Sequence, residues 1–432
     1  MQTTVVYVLI GLILLARSAP VHGAALLFEQ TWGGTNFDHA EGVAVAPDGK
    51  ICTVGTTPSF SVSGDSDVFL LKYAPDGTLL LQRTYGTAGG FEDGNGVAVG
   101  PDGSIYVAGS SDNSKALLVK FAPNGALLWQ RTWGGTLGEI AFGVAVSGDG
   151  ASVYITGQTL SFGAGFLDAF LVKFDASGNL VWQRTWGGPI NETGQAVAVA
   201  GDGSVYVAGD GNSFFGNDAI LLKFAADGTL IWQRDWRGGA SLEDDSAALG
   251  VATAPDGSVY MTGRSFISGR GQRGALVKFT PDGNVVWERT WGSGTDAALG
   301  VTVAPDGTIF MTGNTGFGIG GGDAFVVRFL ATTGRAVDAA TWGGVDNESG
   351  ESIAVASDGS VYVAGLASAP PYTFASATRM TQRLRGAFLG VPAGTVTDPG
   401  VAAGTPAGSV RAVNGSTTFA GGTDAFLLKV QP

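Results

Sequence analysis

Residues 96–110, GVAVGPDGSIYVAGS, contain two short runs of small and β-branched residues on either side of a Pro-Asp-Gly turn sequence. Proline presets the φ angle of a turn and glycine readily takes a positive φ, so this tripeptide favours a hairpin. Both alternating faces of the flanking runs lack charge, as expected of strands that are buried on both sides. The stretch therefore predicts two adjacent antiparallel strands in the interior of a β protein.

The same turn recurs along the chain, and each copy is followed by two further strand-like runs. DAFLVKF begins at Asp168, and LVWQRTWGG begins at Leu180 after a second glycine-bearing turn. Repeated units of four short strands without helical periodicity are typical of propeller blades. We therefore predict an all-β fold, a seven-bladed β-propeller of four-stranded antiparallel blades. The seven Asp-Gly turns begin at Asp48, Asp102, Asp149, Asp202, Asp256, Asp306 and Asp358.

The two ends of the chain complement each other. The seventh repeat stops after its third strand, DAFLLKVQP from Asp424, whereas residues 26–34, LLFEQTWGG, match the fourth-strand pattern. We expect these segments to pair, because that pairing completes the last blade and leaves no open sheet edge. The prediction is a single propeller domain from 24 to 432, with an insertion at about 367–422 in the seventh repeat.

The N-terminus has the pattern of an export signal. Residues 5–16 form an apolar run that is shorter than the roughly 20 residues of a membrane-spanning helix, and small residues follow as far as Gly23. We predict a signal peptide over residues 1–23 and a product that is secreted, periplasmic or on the cell surface. An uncleaved membrane anchor is the alternative. Cys52 is the only cysteine, so no intramolecular disulfide is expected.

Composition narrows the range of partners. Asp and Glu total 37 against 24 Lys and Arg, a formal charge of -13, and nucleic-acid binders normally carry a basic excess. We expect no nucleic-acid partner, no membrane span in the mature chain, no cofactor and a monomeric state. Calcium is an open alternative at the acidic loops, although Glu243, Asp244 and Asp245 lack the alternating spacing of a calcium-binding loop.

Several repeated motifs together resemble the bacterial SBBP repeat family, whose name denotes a seven-bladed β-propeller. The resemblance rests on WGG, on an acid four residues before the small-residue strand, on DG followed by YVAG or YITG, and on DAFLVKF. It implies the propeller architecture and an exported or surface location, and it implies little about chemistry. The chain departs from the pattern at Asp338, where other repeats have Trp, and at Lys115 and Arg273, where others have Asp.

The fourth strands carry pairs of tryptophans four residues apart, for example Trp129 and Trp133, with Arg131 between them. At the two-residue period of a strand these side chains share one face, which suits cation-π stacking. We interpret the pairs as packing between blades; a sugar-binding aromatic platform is the alternative. A basic residue also recurs in the third strands, and we expect it to pair with carboxylates or to lie in solvent: Lys72, Lys120, Lys173, Lys223, Lys278, Arg328 and Lys429.

An acidic residue precedes the first strand in six of the seven repeats, and Asp245 stands one place out of register in the fifth. These carboxylates either line the mouth of the central pore and attract cations, or accept hydrogen bonds from backbone amides of the adjoining loops. His39 could act as a catalytic base, but no nucleophile recurs near it, and we assign no catalytic residue. The candidate binding residues, all placed on the loop-bearing face, are Asp38, Glu41, Glu92, Glu139, Glu192, Asp244, Asp245, Asp296, Glu348, Tyr372, Phe374, Arg383 and Arg385.

The insertion breaks the seven-fold symmetry and carries a net positive charge on an otherwise acidic chain. Loops of this length are usually functional or disordered, so we expect either a lid across the loop-bearing face or a mobile arm.

We interpret the chain as an exported, non-catalytic binding or scaffold protein whose partner is an extracellular protein or a polysaccharide. The alternative is a propeller enzyme. It could be a polysaccharide lyase or hydrolase that uses loop carboxylates, or a quinoprotein-like oxidoreductase, because residues 175–182, DASGNLVW, resemble the tryptophan-docking repeat of quinoprotein dehydrogenases.

Overall fold

The computed structural model describes residues 24–61, 64–112, 114–213, 216–238, 245–316, 321–368, 370–377, 395–401, 403–404, 409–412 and 422–431. The predicted signal peptide, residues 1–23, lies outside this part of the chain. The described residues form seven antiparallel sheets that are arranged as the blades of a β-propeller. The predicted fold class is therefore confirmed.

Each blade contains four strands that follow one another from the centre of the ring to its rim. The first strands of neighbouring blades contact one another in cyclic order and surround a central channel. The strands in chain order are β1 (Ala25–Trp32); in blade 1, β2 (His39–Val45), β3 (Ile51–Thr57), β4 (Asp67–Tyr73) and β5 (Leu79–Gly86); in blade 2, β6 (Asp93–Val99), β7 (Ile105–Ser111), β8 (Lys115–Phe121) and β9 (Leu127–Trp133); in blade 3, β10 (Glu139–Val146), β11 (Ser152–Thr159), β12 (Asp168–Asp175) and β13 (Leu180–Gly187); in blade 4, β14 (Glu192–Val199), β15 (Val205–Ser213), β16 (Gly216–Phe224) and β17 (Leu230–Trp236); in blade 5, β18 (Asp245–Thr253), β19 (Val259–Ile267), β20 (Gly271–Phe279) and β21 (Val285–Gly294); in blade 6, β22 (Ala297–Val303), β23 (Ile309–Thr315), β24 (Asp323–Phe329) and β25 (Ala336–Gly343); in blade 7, β26 (Ser349–Val355) and β27 (Val361–Ala367); in the insertion, β28 (Thr373–Ala377), β29 (Thr395–Thr397) and β30 (Ser409–Ala412); and finally β31 (Asp424–Gln431).

The two ends of the chain close the ring. β1 pairs antiparallel with β31, so that Ala25 lies opposite Gln431 and Trp32 lies opposite Ala425. Blade 7 therefore consists of β26, β27 and β31 from the C-terminal part of the chain and β1 from the N-terminal part. The predicted closure by the first mature segment is confirmed.

The first and fourth strands of every blade contain a β-bulge, which places one extra residue opposite the partner strand. The extra residues of the first strands are Glu41, Asn95, Phe142, Gln195, Leu249, Leu299 and Glu351. Those of the fourth strands are Leu27, Leu80, Leu128, Val181, Ile231, Val286 and Val337.

The described parts of the insertion lie along the rim of the propeller. β28 pairs with β25, β29 with β13 and β30 with β5, each on the outer side of a fourth strand. A single bridge joins Gly404 to Thr132 on β9. These parts do not form the lid across the loop-bearing face that the sequence suggested as one possibility.

Neighbouring blades are joined by a clamp built from one blade's third and fourth strands and the next blade's outer turn. Lys120 and Trp129 both donate hydrogen bonds to the carbonyl of Ala176, over 3.2 Å each, and Arg131 Nε donates to the carbonyl of Gly178 at 2.7 Å. The guanidinium of Arg131 also lies 5.4 Å from the centroid of the Trp129 ring. The repeated lysine thus binds backbone carbonyls of the next blade rather than carboxylates or solvent.

The second tryptophan of each pair is buried between blades. Trp133 packs on Phe170 of the next blade with ring centroids 4.5 Å apart, and its Nε1 donates to Gln183 at 2.7 Å. Equivalent bonds join Trp32 to Gln82 and Trp186 to Gln233. This geometry agrees with the interpretation of the tryptophan pairs as packing between blades.

We expect Trp133→Ala to lower the free energy of unfolding by roughly 3–5 kcal/mol, because it removes a buried aromatic side chain and leaves a cavity between two blades. Leu128→Ala, in the same strand but half exposed, should change it by about 0.5 kcal/mol or less. Urea unfolding of both variants measures the difference. Equal effects of the two substitutions would contradict the role assigned to Trp133.

Candidate functional site

The longer loops of the propeller gather at one end, which we call the loop face. It is formed by the loops after the fourth strands, such as residues 134–138, and those after the second strands, such as residues 160–167. Hydrogen bonds join the two sets: Asn36 N donates to Ser59 Oγ at 2.9 Å, and Leu137 N donates to Ser161 Oγ at 2.9 Å. The loops therefore support one another and form a shared surface.

The recurring acids lie beneath this surface. Asp38 accepts hydrogen bonds from Gly34 N at 2.7 Å, from Thr57 Oγ1 at 2.5 Å and from Ser59 Oγ at 2.6 Å. The carboxylates thus fix the shape of the loops, as in the second of the two roles considered from the sequence. The acids at this position are all buried: Asp38, Glu92, Glu139, Glu192, Asp296 and Glu348.

Blade 5 has a serine in place of the acid. Ser246 is buried, and its Oγ accepts a hydrogen bond from Gly238 N at 3.0 Å, as the carboxylates of other blades do. Asp245, the sequence-predicted residue, lies one position earlier and is exposed, and its Oδ1 accepts a bond from Asn217 N at 2.8 Å. Asp244 lies outside the described residues.

A second acid, at the start of the third strand, approaches the first acid of the next blade, and burial raises the pKa of both Asp168 of blade 3 and Glu192 of blade 4. Gly187 separates them so closely that a Cβ there would collide with both carboxyl groups. In blade 2 this second position is Lys115, whose Nζ lies 3.9 Å from Glu139 Oε2. The departure from the repeat pattern therefore replaces a carboxyl pair with an ion pair.

The insertion supplies a similar cation to blade 1. Arg411 Nη2 donates to Asp67 Oδ2 at 2.5 Å, and this contact opposes the rise in the pKa of Asp67 that burial causes. In blade 6, Arg328 and Asp338 form an ion pair at the positions that blades 2 to 5 fill with Lys and Trp. The two residues of blade 6 that depart from the repeat pattern are thus partners of each other.

Apolar side chains project from the loop face into solvent. Their exposed fractions are 68% for Phe37, 64% for Phe91, 66% for Leu137, 73% for Phe166 and 60% for Val345. The five side chains come from loops of different blades and share one end of the ring. The sequence analysis missed these residues, although Phe37 and Phe91 each stand immediately before a recurring acid.

Glu41 lies in the central channel rather than on the loop face. It is the bulge residue of β2, and its Oε1 is 3.3 Å from Nε2 of His39, with about a third of each side chain exposed. Burial, and to a lesser extent the charges of Glu351 and Asp93, together raise the pKa of Glu41 to about 8. Burial also lowers the pKa of His39. Near neutral pH, Glu41 and His39 are therefore both largely uncharged.

The bulge residues give the channel two different sides. Glu41 and Glu351 come from adjacent blades 1 and 7, whereas Phe142, Leu249 and Leu299 come from blades 3, 5 and 6. The channel is therefore ionisable on one side and apolar on most of the other.

Of the insertion residues predicted for the loop face, Tyr372 contacts one of its loops, at Ser368, and Phe374 lies on the rim. Tyr372 packs against Trp342 with ring centroids 4.4 Å apart and donates a hydrogen bond to the carbonyl of Ser368, and Phe374 belongs to β28 on the rim. Arg383 and Arg385 lie outside the described residues.

Two features are absent from the described residues. Within that part of the chain, no group of three or more His, Cys, Asp or Glu side chains could hold a metal ion. The same residues contain no helix that is long and apolar enough to cross a membrane.

The blades, the channel and the loop face define the chain as a seven-bladed β-propeller protein. Residues 46–79 and 100–127 match the family model described as a β-propeller domain of unknown function, DUF5122. No curated protein matches the chain.

Several solved structures are similar to the chain at low sequence identity. The WD40 domain of Neurospora crassa Pan2 is 8% identical, with a TM-score of 0.51 over 85% of this chain and 99% of that one. A protein of unknown function from Bacteroides caccae is 13% identical, with a TM-score of 0.37 over 60% of this chain and 92% of its own. Sqt1 from Chaetomium thermophilum is 13% identical, with a TM-score of 0.46 over 77% and 82%.

The raised pKa of Glu41 leads to a pH prediction. Its folded-state pKa of about 8 lies above the unfolded value of about 4.3, so the folded state keeps a proton that the unfolded state releases. This contribution to stability is complete below the unfolded pKa and is lost as pH rises through 8.

We expect Glu41→Gln to flatten that dependence, because the amide stays neutral at every pH. The variant should lose less Tm than the parent between pH 5 and pH 9. Asp346→Asn, at an exposed loop carboxyl, is the matched control and should follow the parent. If Tm fell equally with rising pH in all three proteins, Glu41 would not be the source of the pH dependence of stability.

Proposed function

We propose that this protein is an exported, non-catalytic binding or scaffold protein whose loop face binds an extracellular protein. The observation that carries the proposal is the set of exposed apolar side chains on that face, including Phe37, Phe91 and Phe166. Aromatic and aliphatic anchors of this kind supply most of the binding energy in protein–protein interfaces. Export rests on the apolar N-terminal pattern of the sequence.

A protein partner fits these residues better than a polysaccharide. The tryptophan rings that could have formed a sugar-binding platform are engaged between blades, where Trp129 bonds to Ala176 and Trp133 to Gln183. The side chains that remain exposed are phenylalanine, leucine and valine, which suit apolar pockets of a protein surface. The acidic net charge favours a partner whose contact rim is basic.

The enzyme alternatives stay predictions. Among the described residues, the arrangement nearest to acid–base machinery is the channel group of His39, Glu41 and Glu351, which would support a hydrolase or a lyase rather than a quinoprotein-like oxidoreductase. A group whose pKa is shifted toward neutrality is a feature of catalytic acids, and it also occurs in structural clusters. The loop face therefore carries the proposal.

The proposal is tested by placing a photo-activated cross-linking residue at Phe91 or at Phe166 in the protein exported by its own cells. We expect each to form a discrete covalent adduct with one cell-envelope or extracellular protein. Leu80 and Val286, at 48% and 50% exposure on the rim, are matched apolar controls and should form none. Adducts of equal yield at all four positions, or no adduct at any, would contradict the proposal.

A further inference from the structure

Phe166, an exposed apolar side chain of the loop face, stands near the end of the loop that joins β11 to β12. The first part of this loop is held by blade 2 and the loop that follows it. Leu160 N donates a hydrogen bond to the carbonyl of Gly138 at 2.9 Å, and the ring centroid of Phe162 lies 5.6 Å from that of Trp133. The part of the loop that carries Phe166 has different partners.

The middle of the loop wraps around the carboxyl group of Asp168. Ala164 N donates to Asp168 Oδ1 at 3.2 Å, and Gly165 N donates to Asp168 Oδ2 at 3.3 Å. A Cβ on Gly163 would stand 2.1 Å from Asp168 Cγ, so the backbone passes directly over the carboxyl group. The conformation of this segment therefore depends on that group.

The last part of the loop is joined to blade 4. Phe166 N donates to the carbonyl of Ile190 at 3.3 Å, and Glu192 N donates to the carbonyl of Leu167 at 2.8 Å. The side chain of Glu192 holds its own loop, because its Oε2 accepts a hydrogen bond from Gly188 N at 2.9 Å. The position of Phe166 thus depends on one carboxyl group from each of the two blades.

These two carboxyl groups are buried and close together. Asp168 is 1% exposed and Glu192 is 5% exposed. Asp168 Oδ1 and Glu192 Oε2 lie 2.0 Å and 2.7 Å from the point that a Cβ of Gly187 would occupy, so the two oxygens are less than about 5 Å apart. Two carboxylates that share a buried site repel each other, and one of them normally keeps its proton.

The surroundings do not compensate two negative charges. The ion pairs within the described part of the chain include neither carboxyl group. The adjoining loops, residues 160–167 and 188–191, contain no titratable side chain. The other charged group that acts on the pair is Asp210 of β15, and its carboxylate adds to the rise that burial causes in the pKa of Glu192. Burial raises the pKa of Asp168 as well.

The two preceding junctions between blades contain a cation at this place. Between blades 2 and 3, Lys115 Nζ lies 3.9 Å from Glu139 Oε2, and between blades 1 and 2, Arg411 pairs with Asp67. The junction of blades 3 and 4 has an acidic residue at both positions of the repeat. Its two carboxyl groups therefore relieve their repulsion by binding a proton or by moving apart.

We propose that Asp168 and Glu192 form a proton-dependent latch that holds residues 164–167, and with them Phe166, in place on the loop face. The latch is closed while the pair keeps one proton. When the loop opens, water reaches both carboxyl groups and the proton leaves to solvent. Because the closed loop binds more protons than the open one, rising pH favours opening. The consequence for binding rests on the function proposed for the loop face, whereas the latch itself does not.

The test measures backbone hydrogen exchange of the parent protein at pH 6 and pH 9, with each rate divided by the intrinsic rate of the same amide at that pH. We expect the protection of residues 164–167 and of the Glu192 N–H to fall at least about tenfold at pH 9, the change that one unit of pKa difference between closed and open loop produces. Residues 170–172 of β12 should keep their protection, because the opening is local. The Glu139 N–H, which makes the equivalent bond beside Lys115, should also keep it.

Three variants assign the effect to the pair. Glu192→Gln removes one of the two charges and keeps an acceptor oxygen, so the protection of residues 164–167 should no longer fall between pH 6 and pH 9. Glu348→Gln, the same change at the junction of blades 6 and 7, is the matched control and should behave as the parent does. Lys115→Asp places a second carboxyl group at the junction of blades 2 and 3, and it should make protection of the Glu139 N–H depend on pH.

The proposal is overturned if the parent keeps full protection of residues 164–167 at pH 9, or if Glu192→Gln loses as much protection as the parent. It is also overturned if Glu348→Gln abolishes the pH dependence at this loop. A loss at pH 9 that appears only when a chelator is added would assign the pair to a bound metal ion rather than to a proton, and would overturn the proposal as well.

Cross-linking separates the latch from the function proposed for the loop face. The adduct formed from Phe166 should decrease at pH 9 relative to the adduct formed from Phe91, and Glu192→Gln should restore it. An equal decrease at both positions would overturn the consequence of the latch for binding. The absence of adducts at every pH would contradict the proposed function, whereas hydrogen exchange would still decide whether the latch exists.

Discussion

The antiparallel pairing of β1 with β31 is the contact on which the rest of the structure depends. Every other blade is assembled from consecutive residues, whereas blade 7 exists only when the two ends of the chain meet. The pairing completes the ring of first strands and so fixes the channel. It also sets the loops of blades 7 and 1 side by side, since Asp38 N donates to the carbonyl of Thr423 at 2.7 Å.

The repeated residues are used mainly to hold the blades together, and this limits what they can do for function. Lys120, Trp129 and Arg131 converge on one turn of the next blade, and equivalent residues do so in blades 3, 4 and 5. The features available for recognition are those that differ between blades. These are the apolar tips of the loop face, the mixed lining of the channel and the insertion on the rim.

The fold could be predicted from the sequence because its signals are local and repeated seven times. Each strand pattern, each turn glycine and the missing fourth strand of the last repeat can be recognised within a short stretch of sequence. The partners of the repeated lysines could not be predicted, because Lys120 binds a backbone carbonyl 56 residues away. Every residue has a backbone carbonyl, so the sequence does not indicate which one accepts the bond.

The candidate site was harder to predict for a related reason. The recurring acids were found, but only the structure shows that Asp38 is buried and accepts hydrogen bonds from its own loop and from Thr57 and Ser59. Glu41 was assigned to the loop face because a β-bulge, which turns it into the channel, has no clear sequence signal. The path of the insertion depends on backbone pairing, so Phe374 could not be placed on the rim from its side chain.

Ring closure is tested most directly by comparing the chain of residues 24–432 with one that begins at residue 35. The account predicts that the shorter chain melts at a lower temperature and associates through the exposed edge of β31, and that a peptide of residues 25–34 restores both properties. A shorter chain with the same melting temperature and the same oligomeric state as the parent would contradict the account.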